Sequence, residues 1–524
     1  MGWRPAERVV VVGAGMGGLA AAVDLARQGL DVTVCERAPV PGGKMREVDV
    51  AGAKVAAGPT VFTMRWIFEE LFADAGASLD DYVDVVPAET LARHAWRQGG
   101  RLDLFADVER SADAIGQFAG PQDAAGFRSF CARSADIFAT LKHSFIAAER
   151  PNPASLVGRV GLSHLDAMLR IAPFKTMWRA LGEHFTDARL RQLFGRYATY
   201  VGSSPWLAPA TLMLVAHVEQ DGVWLVKGGI CRVADGLQRL AEDQGARFRF
   251  RAPVAEIRVV RGRAAGVVLA DGERIDADAV VFNGDVSALA HGLLGADARR
   301  ATTATTPRQR SLSAITWCLK AKTAGFALVH HNVFFAEDYA REFEAVFRDR
   351  TVCAAPTVYI CAQDRGEAAD GPVPEDGERL LLLVNAPADG DAHDFAEILP
   401  AVERRAFELL DRCGLAIDRR DDARTVTTPH LFDRMFPATG GALYGRASHG
   451  AMASFKRAGA RTRLPGLYAA GGSVHPGAGV PMATMSGRLA AGRLIGDLAR
   501  ARPRTDRGAA VPNAAAAGSL SSKA

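Results

Sequence analysis

Four β-branched residues in a row, Val9 to Val12, follow Arg8, the unbroken apolar run of a strand buried on both faces of a parallel sheet. Gly13-Ala14-Gly15-Met16-Gly17-Gly18 comes next, then a helical stretch from Leu19 to Gln28 that Gly29 ends. A second strand, Asp31 to Cys35, delivers Glu36. The pattern predicts a compact βαβ unit. Further on the rhythm changes. Phe127, Phe130, Ile137, Phe138 and Leu141 recur at helical spacing over 127–142, and a second amphipathic stretch over 156–172 sets Val157, Val160, Leu165, Met168 and Leu169 against Arg159, Asp166 and Arg170. Pro151 and Pro153 precede that stretch and Pro173 follows it, after which Phe174, Met177, Trp178 and Leu181 resume the pattern.

Strand rhythm returns near Gly228-Gly229. Residues 252–257 and 266–269 read as a hairpin ahead of Asp271-Gly272, and 278–284 as another buried strand running into a turn. A mixed segment follows, with a strand over 379–385 and a helix over 400–412. Gly466 to Ser473 is again a strand entering glycines, and a new helix is expected from about Ala483. The expected fold is α/β, α+β overall. A Rossmann-like nucleotide-binding domain is assembled discontinuously from 1–95, 225–300 and 426–500. A mostly helical region over 96–224 and a mixed substrate domain over 301–425 are inserted into it, and 501–524, rich in Ala, Arg and Ser, reads as disordered.

Composition narrows the picture only modestly. With 48% apolar and 23% charged residues the 524-residue chain is globular, and its net charge of +4 points to no nucleic-acid partner. Seven scattered cysteines, at 35, 131, 231, 318, 353, 361 and 413, include no C-x-x-C pair, so neither a metal site nor a disulfide framework is indicated and reduced thiols in a cytoplasmic protein are expected. No targeting segment is expected before the first strand. Gly466 to Gly487 carries no Asp, Glu, Lys or Arg, but its six glycines and two prolines suit a loop-rich site better than a membrane span.

The first glycines have separable tasks. Gly13 permits the tight turn, Gly15 lets the backbone approach a pyrophosphate, and Gly18 allows helix to pack on strand. Free N–H groups at the helix start suit phosphate oxygens, and Glu36 stands where a carboxylate accepts ribose hydroxyls. A dinucleotide is therefore expected. Gly42-Gly43-Lys44, six residues past Glu36, resembles the E-x5-G-G-[RK] extension of flavoproteins of the glutathione-reductase-like second group, which implies FAD. Within that resemblance Gly58-Pro59-Thr60 passes beside the flavin, and backbone near Val254 meets the adenine. Gly472, Val480 and Met482 bring small residues and a helix N-terminus to the isoalloxazine. Relatives in the wider group often carry an acid near Gly472; here Gly472-Ser473 offers none.

His475-Pro476-Gly477-Ala478-Gly479-Val480-Pro481, together with the N-terminal fingerprint, resembles the bacterial phytoene-desaturase type of carotenoid desaturase. Ala57 to Trp66 and Gly471 to Pro476 are similar to the 1-hydroxycarotenoid 3,4-desaturases, also called methoxyneurosporene dehydrogenases or hydroxyneurosporene desaturases. The resemblance implies a C3–C4 double bond introduced into an acyclic carotenoid with a 1-hydroxy or 1-methoxy group. Hydride would go to flavin N5 and a proton would then be lost. A cofactor that carries the chemistry leaves few demands on side chains, and no catalytic residue is assigned. His475 is a candidate proton acceptor whose alternative is to shape its loop. Arg65 and Trp66 either touch substrate or cap a helix. Glu219 and Asp221 either bind the hydroxyl or lie on solvated surface. Oxygen or a membrane quinone would reoxidise the flavin, and the basic, proline-interrupted helices suggest peripheral contact with the inner or photosynthetic membrane. Another carotenoid or phytoene desaturase, a carotenoid isomerase and an amine-oxidase-like flavoenzyme are the rival activities.

Overall fold

The computed structural model describes residues 7–149, 151–161, 171–369 and 371–501; the expectations for 501–524 and for most of the helix over 156–172 lie largely outside them. Arg8–Val12 is the middle strand of a five-stranded parallel sheet whose order is 247–249, 31–35, 8–12, 279–282, 467–469. Val10 pairs with Val280 on one side and Thr33 on the other. The Met16–Ala26 helix lies on this sheet with Leu19 through Val23 fully buried. Its run of alanines keeps it thin enough to be covered in turn by the Arg232–Asp243 and Val480–Ala501 helices. At the closest approach, a Cβ on Gly487 would lie 2.0 Å from the Gly17 carbonyl oxygen. Arg488 locks the contact, reaching Asp24 at 3.3 Å and also bonding Asp74.

A second, seven-stranded sheet runs 424–427, 313–321, 378–386, 358–362, 331–335, 90–96, 101–105. Alternation along it separates two environments. Ile315, Trp317, Leu319, Leu380, Leu382 and Val384 pack toward the Leu399–Arg412 helix, while Thr316, Tyr359, Leu381, Leu383 and Asn385 face a cavity. Helical segments line that cavity from the other side, chiefly Leu214–Gln220 and the wide turn over Lys142–Ile146 that continues the Pro121–Leu141 helix.

Several elements differ from the expected ones. The helical region was expected to open at 96, but two strands, Thr90–Trp96 and Arg101–Phe105, cross that boundary, because Thr90–Trp96 pairs in parallel with His331–Phe335. The helix expected over 127–142 begins earlier, at Pro121, where proline at the first turn costs no hydrogen bond. The helix expected to start at 156 starts at Pro153, with Asn152 capping it through Ser155, and Gly161 (φ +88°) ends it. The final helix starts at Val480 rather than Ala483. Among the described residues no helix is long and apolar enough to cross a membrane.

Candidate active site

The Gly13–Gly18 turn leaves the first strand with Gly13 in a left-handed conformation (φ +99°), its N–H donating to Cys35 O at 2.8 Å. Asn283, from the neighbouring strand's end, donates Nδ2 to Gly13 O at 3.2 Å. Space around the turn is filled to contact: a Cβ on Gly18 would sit 2.0 Å from Gly13 O, and one on Gly15 would sit 2.8 Å from Asn283 Nδ2. Gly18 itself stays out of the cavity and serves packing, whereas Gly13, Gly15 and Gly17 line it. No side chain caps the helix at Gly15, so first-turn N–H groups remain available to a ligand. Glu36 is buried, accepting from Ala14 N at 2.7 Å and Ala38 N at 2.8 Å; these bonds fix the carboxylate and leave lone pairs for hydroxyl donors. Val254 lines the same end of the cavity.

Gly42 and Gly43, both at positive φ, fold back on Gly15, and a Cβ on Gly43 would touch Gly15 Cα at 3.3 Å. Lys44 follows, its ammonium donating to Leu443 O at 2.7 Å and standing 5.3 Å from the Phe436 ring. Burial pulls its pKa down, opposed by Asp285. Gly58 abuts Lys44 O, where a Cβ would come within 2.1 Å, and Pro59 and Thr60 continue along the cavity wall. Gly472, Val480 and Met482 form a further stretch of the cavity wall. Two charged residues near that wall escaped sequence reasoning. Asp285 lines the cavity and caps its own helix through Ser287 N at 2.9 Å, while Ser473 Oγ accepts from the next residue, Val286. A carboxylate thus stands beside Gly472-Ser473, supplied from another part of the chain. Arg457 is buried and donates to Gly472 O and Tyr444 O, each at 3.1 Å; burial lowers its pKa to about 10. A lone Arg in a polar loop gave no signal.

Other candidates are redistributed. His475 does not line the cavity. Its ring is buried against Phe145, and Nε2 lies 3.0 Å from both Phe145 O and Ala148 O. It braces the 142–146 turn against the glycine block, which suits the loop-shaping alternative. Arg65 binds Glu69 at 2.8 Å and Asp80 at 2.7 Å, and with Trp66 it starts a helix away from the cavity. Asp221 is exposed, but Glu219 is not at the surface: it is 7% exposed and lines the cavity. His330, His331 and Cys361 also cluster, with ligand-type atoms within 4.8 Å. His330 bonds Arg365 O, Cys361 contacts His330, and His331 holds Tyr359 Oη at 2.8 Å.

Neutral buried imidazoles make stability acid-sensitive. Burial lowers His475 and His449 to about 4 and His94 to about 3. An unfolded histidine titrates near 6.5, so the unfolded chain takes up these protons first. The contribution of these histidines to stability is complete above pH ~6.5 and is lost as pH drops toward about 4 and, for His94, about 3. Urea unfolding at pH 7 and pH 5 is expected to show this loss. His475→Gln, which keeps a donor at the same reach, should retain flavin and lose less stability between the two values. An equal loss would remove His475 from the account.

The cavity as a whole has a volume of about 1660 Å³, beyond the ~300–1,000 Å³ of ordinary ligand pockets, so a dinucleotide and a second molecule fit together. Glycine-lined backbone, free helix N–H groups and an anchored carboxylate meet what FAD needs at its pyrophosphate and ribose. Beyond the cradle the walls turn apolar, with Leu212, Val215, Val218, Leu381, Leu383 and Phe455, and the mouth is rimmed by Phe174, 91% exposed, and Met452.

Residues 16–495 match the family described as flavin containing amine oxidoreductase. A hydroxyneurosporene desaturase of Rubrivivax gelatinosus is 56% identical over 498 residues, covering 94% of each chain. One of Cereibacter sphaeroides is 45% identical, covering 94% of this chain and 98% of its own. Among solved structures, an oxidoreductase from Methanosarcina mazei superposes with a TM-score of 0.56 at 17% identity, over 92% of this chain and 99% of its own. That last likeness concerns the fold.

Proposed function

The chain belongs to the flavin-containing amine oxidoreductase family, and from that premise we propose that it is an FAD-dependent desaturase of acyclic carotenoids in carotenoid biosynthesis, forming the C3–C4 double bond of 1-hydroxy or 1-methoxy substrates. The observation that carries this reading is an apolar channel continuous with the flavin cradle, in a chain whose relatives are named for desaturating hydroxyneurosporene. FAD held there supplies the two-electron oxidant for removing two hydrogens from the substrate.

Gly13, Gly15, Glu36, Gly42, Gly43 and Lys44 are the residues proposed to hold the cofactor's nucleotide half, with Val254 at the adenine. Gly58, Pro59, Gly472, Val480 and Met482 would frame the flavin. Val215, Val218, Leu381 and Leu383 then align a polyene and exclude water from it. An allylic C–H is too weak an acid for a carboxylate to deprotonate unaided, so alignment is the main demand on the protein. The exposed Phe174 and Met452 at the mouth, with Leu207 nearby at 47% exposure, suit contact with a bilayer from which a carotenoid enters. A mouth on the membrane also gives a quinone access as electron acceptor, oxygen being the alternative.

The test is anaerobic mixing of the FAD-loaded protein with a 1-hydroxy acyclic carotenoid in liposomes. Flavin bleaching is expected, with a product two mass units lighter than the substrate. A flavin that stays oxidised would sink the reading. In flotation with the same liposomes, Phe174→Asp should recover less bound protein than wild type; equal recovery would remove this rim from the membrane contact.

A further inference from the structure

Most of the channel suits a hydrocarbon, but one patch of its wall does not. Arg196 follows the Ala188–Gly195 helix and lines the cavity. Its guanidinium stands 5.1 Å from the Tyr359 ring centre and 5.9 Å from that of Tyr200, and no ion pair joins it to a carboxylate among the described residues. Glu219 lies beside it. Its two carboxylate oxygens accept from Tyr197 Oη at 2.6 Å and from Tyr200 Oη. Burial pushes its pKa up, against those two bonds and the charge of Arg196. Taking a guanidinium and a carboxylic group out of water costs several kcal/mol unless polar partners replace the water. A site for a plain polyene would gain nothing from that cost.

The patch also has a defined place. Thr60 Oγ1 lies 2.7 Å from Tyr359 Oη, which ties it to the Gly58–Thr60 turn of the flavin cradle. In a 1-hydroxy carotenoid the hydroxyl is only a few bonds from the carbons to be dehydrogenated. Whatever recognises it must stand near the cofactor, not at the far end of the channel. An alcohol oxygen both accepts and donates, and here a donor-only cation adjoins a carboxyl–phenol pair that can accept.

We propose that Arg196, Tyr200 and Glu219 form the subsite for the substrate's tertiary hydroxyl, with Arg196 donating to the alcohol oxygen and the Glu219–Tyr200 pair accepting its proton in a hydrogen bond. This rests on the carotenoid reading above and adds a specificity determinant to it. A methoxy group retains the first contact and loses the second. A parent carotenoid lacking oxygen leaves the whole patch unpartnered, the situation in which a polar site discriminates most strongly.

The experiment compares flavin reduction by a 1-hydroxy carotenoid, its methyl ether and the oxygen-free parent, in liposomes and without oxygen. Wild type is expected to rank them in that order. Arg196→Met should reduce the hydroxyl-to-parent ratio of kcat/KM about 10- to 100-fold, the loss of a charged hydrogen bond. Glu219→Gln should narrow the gap between alcohol and ether. Binding of the hydroxylated product to the oxidised protein, followed by the carotenoid's absorption shift, should weaken by a similar factor in Arg196→Met. If that variant fails to hold flavin, Tyr200→Phe provides the same comparison with the ring retained. Variants that slow all substrates in equal proportion would overturn the subsite. A wild type that treats alcohol and parent alike would also overturn it while leaving the desaturase standing. Reaction with neither would remove the desaturase reading and the subsite together.

Discussion

Gly15→Val is expected to purify as a folded, colourless protein. Gly15 has an ordinary extended backbone, φ −75° and ψ 173°, so the substitution adds no dihedral strain. What it adds is bulk at a point with no room. The Cβ alone would approach Asn283 Nδ2 to 2.8 Å, and the two methyl groups beyond it would occupy the cavity side, where backbone must come against a pyrophosphate. Asn283 would have to release Gly13 O, loosening the turn from both sides. The readout is the ratio of flavin absorbance to protein, which should fall to near zero, with circular dichroism unchanged. A yellow Gly15→Val protein would mean that the dinucleotide lies elsewhere.

Gly126→Ala should do the reverse: the flavin stays and the fold weakens. Gly126 lies on the face of the Pro121–Leu141 helix that grips the turn at 184–187. Asp123, buried on the same face, accepts from Thr186 N and Thr186 Oγ1, each at 2.7 Å, and the Phe130 ring meets His184 at 5.8 Å. Between them a Cβ would fall 1.8 Å from His184 O. Neither backbone can yield without breaking the Asp123 bonds, and overpacking of this kind costs about 1–3 kcal/mol. Thermal unfolding should begin several degrees lower, flavin content remaining full. Gly158→Ala is the control: exposed on the Pro153–Val160 helix with nothing within 4 Å, it should stabilise by up to ~1 kcal/mol through helix propensity. If both variants melt alike, the close approach at His184 is not limiting.

What could be read in advance followed the range of the interactions involved. The strand, glycine turn and helix from Arg8 to Ala26 depend on neighbours a few residues away, and their order was legible, as was the parallel partner at Asp31–Cys35. Small residues at Gly471 to Gly479 signalled close backbone approach for the same reason. Strand Thr90–Trp96 was missed because its partner, His331–Phe335, lies in a distant part of the chain and its own pattern buries three consecutive residues, His94 to Trp96, instead of alternating. Asp285 and Arg457 are ordinary in sequence and acquire their position only when strands 279–282 and 467–469 pair. Glu219 was ambiguous because a carboxylate's surroundings depend on what folds over it. Two tyrosines some twenty residues earlier turn a surface-type residue into a buried acceptor. His475 was open between two roles for a related reason, since proximity in sequence to a cofactor loop says nothing about which side of that loop a ring occupies; its bonds to Phe145 O and Ala148 O suit the loop-shaping one.

The order in which the cradle's walls are made has a biosynthetic consequence. Strand Leu467–Ala469 and helix Val480–Ala501, which carries Gly487 onto Gly17, are translated after everything else that encloses the nucleotide turn. Until they leave the ribosome, the nascent chain holds an open sheet edge at Ala279–Phe282 and an alanine-rich helix covered on one side only, surfaces prone to non-native association. Cofactor capture therefore waits on these two elements, however early the nucleotide turn itself is made. A chain truncated before Leu467 would lack the strand that pairs with Ala279–Phe282 and the helix that covers Gly17, and is expected to purify without flavin.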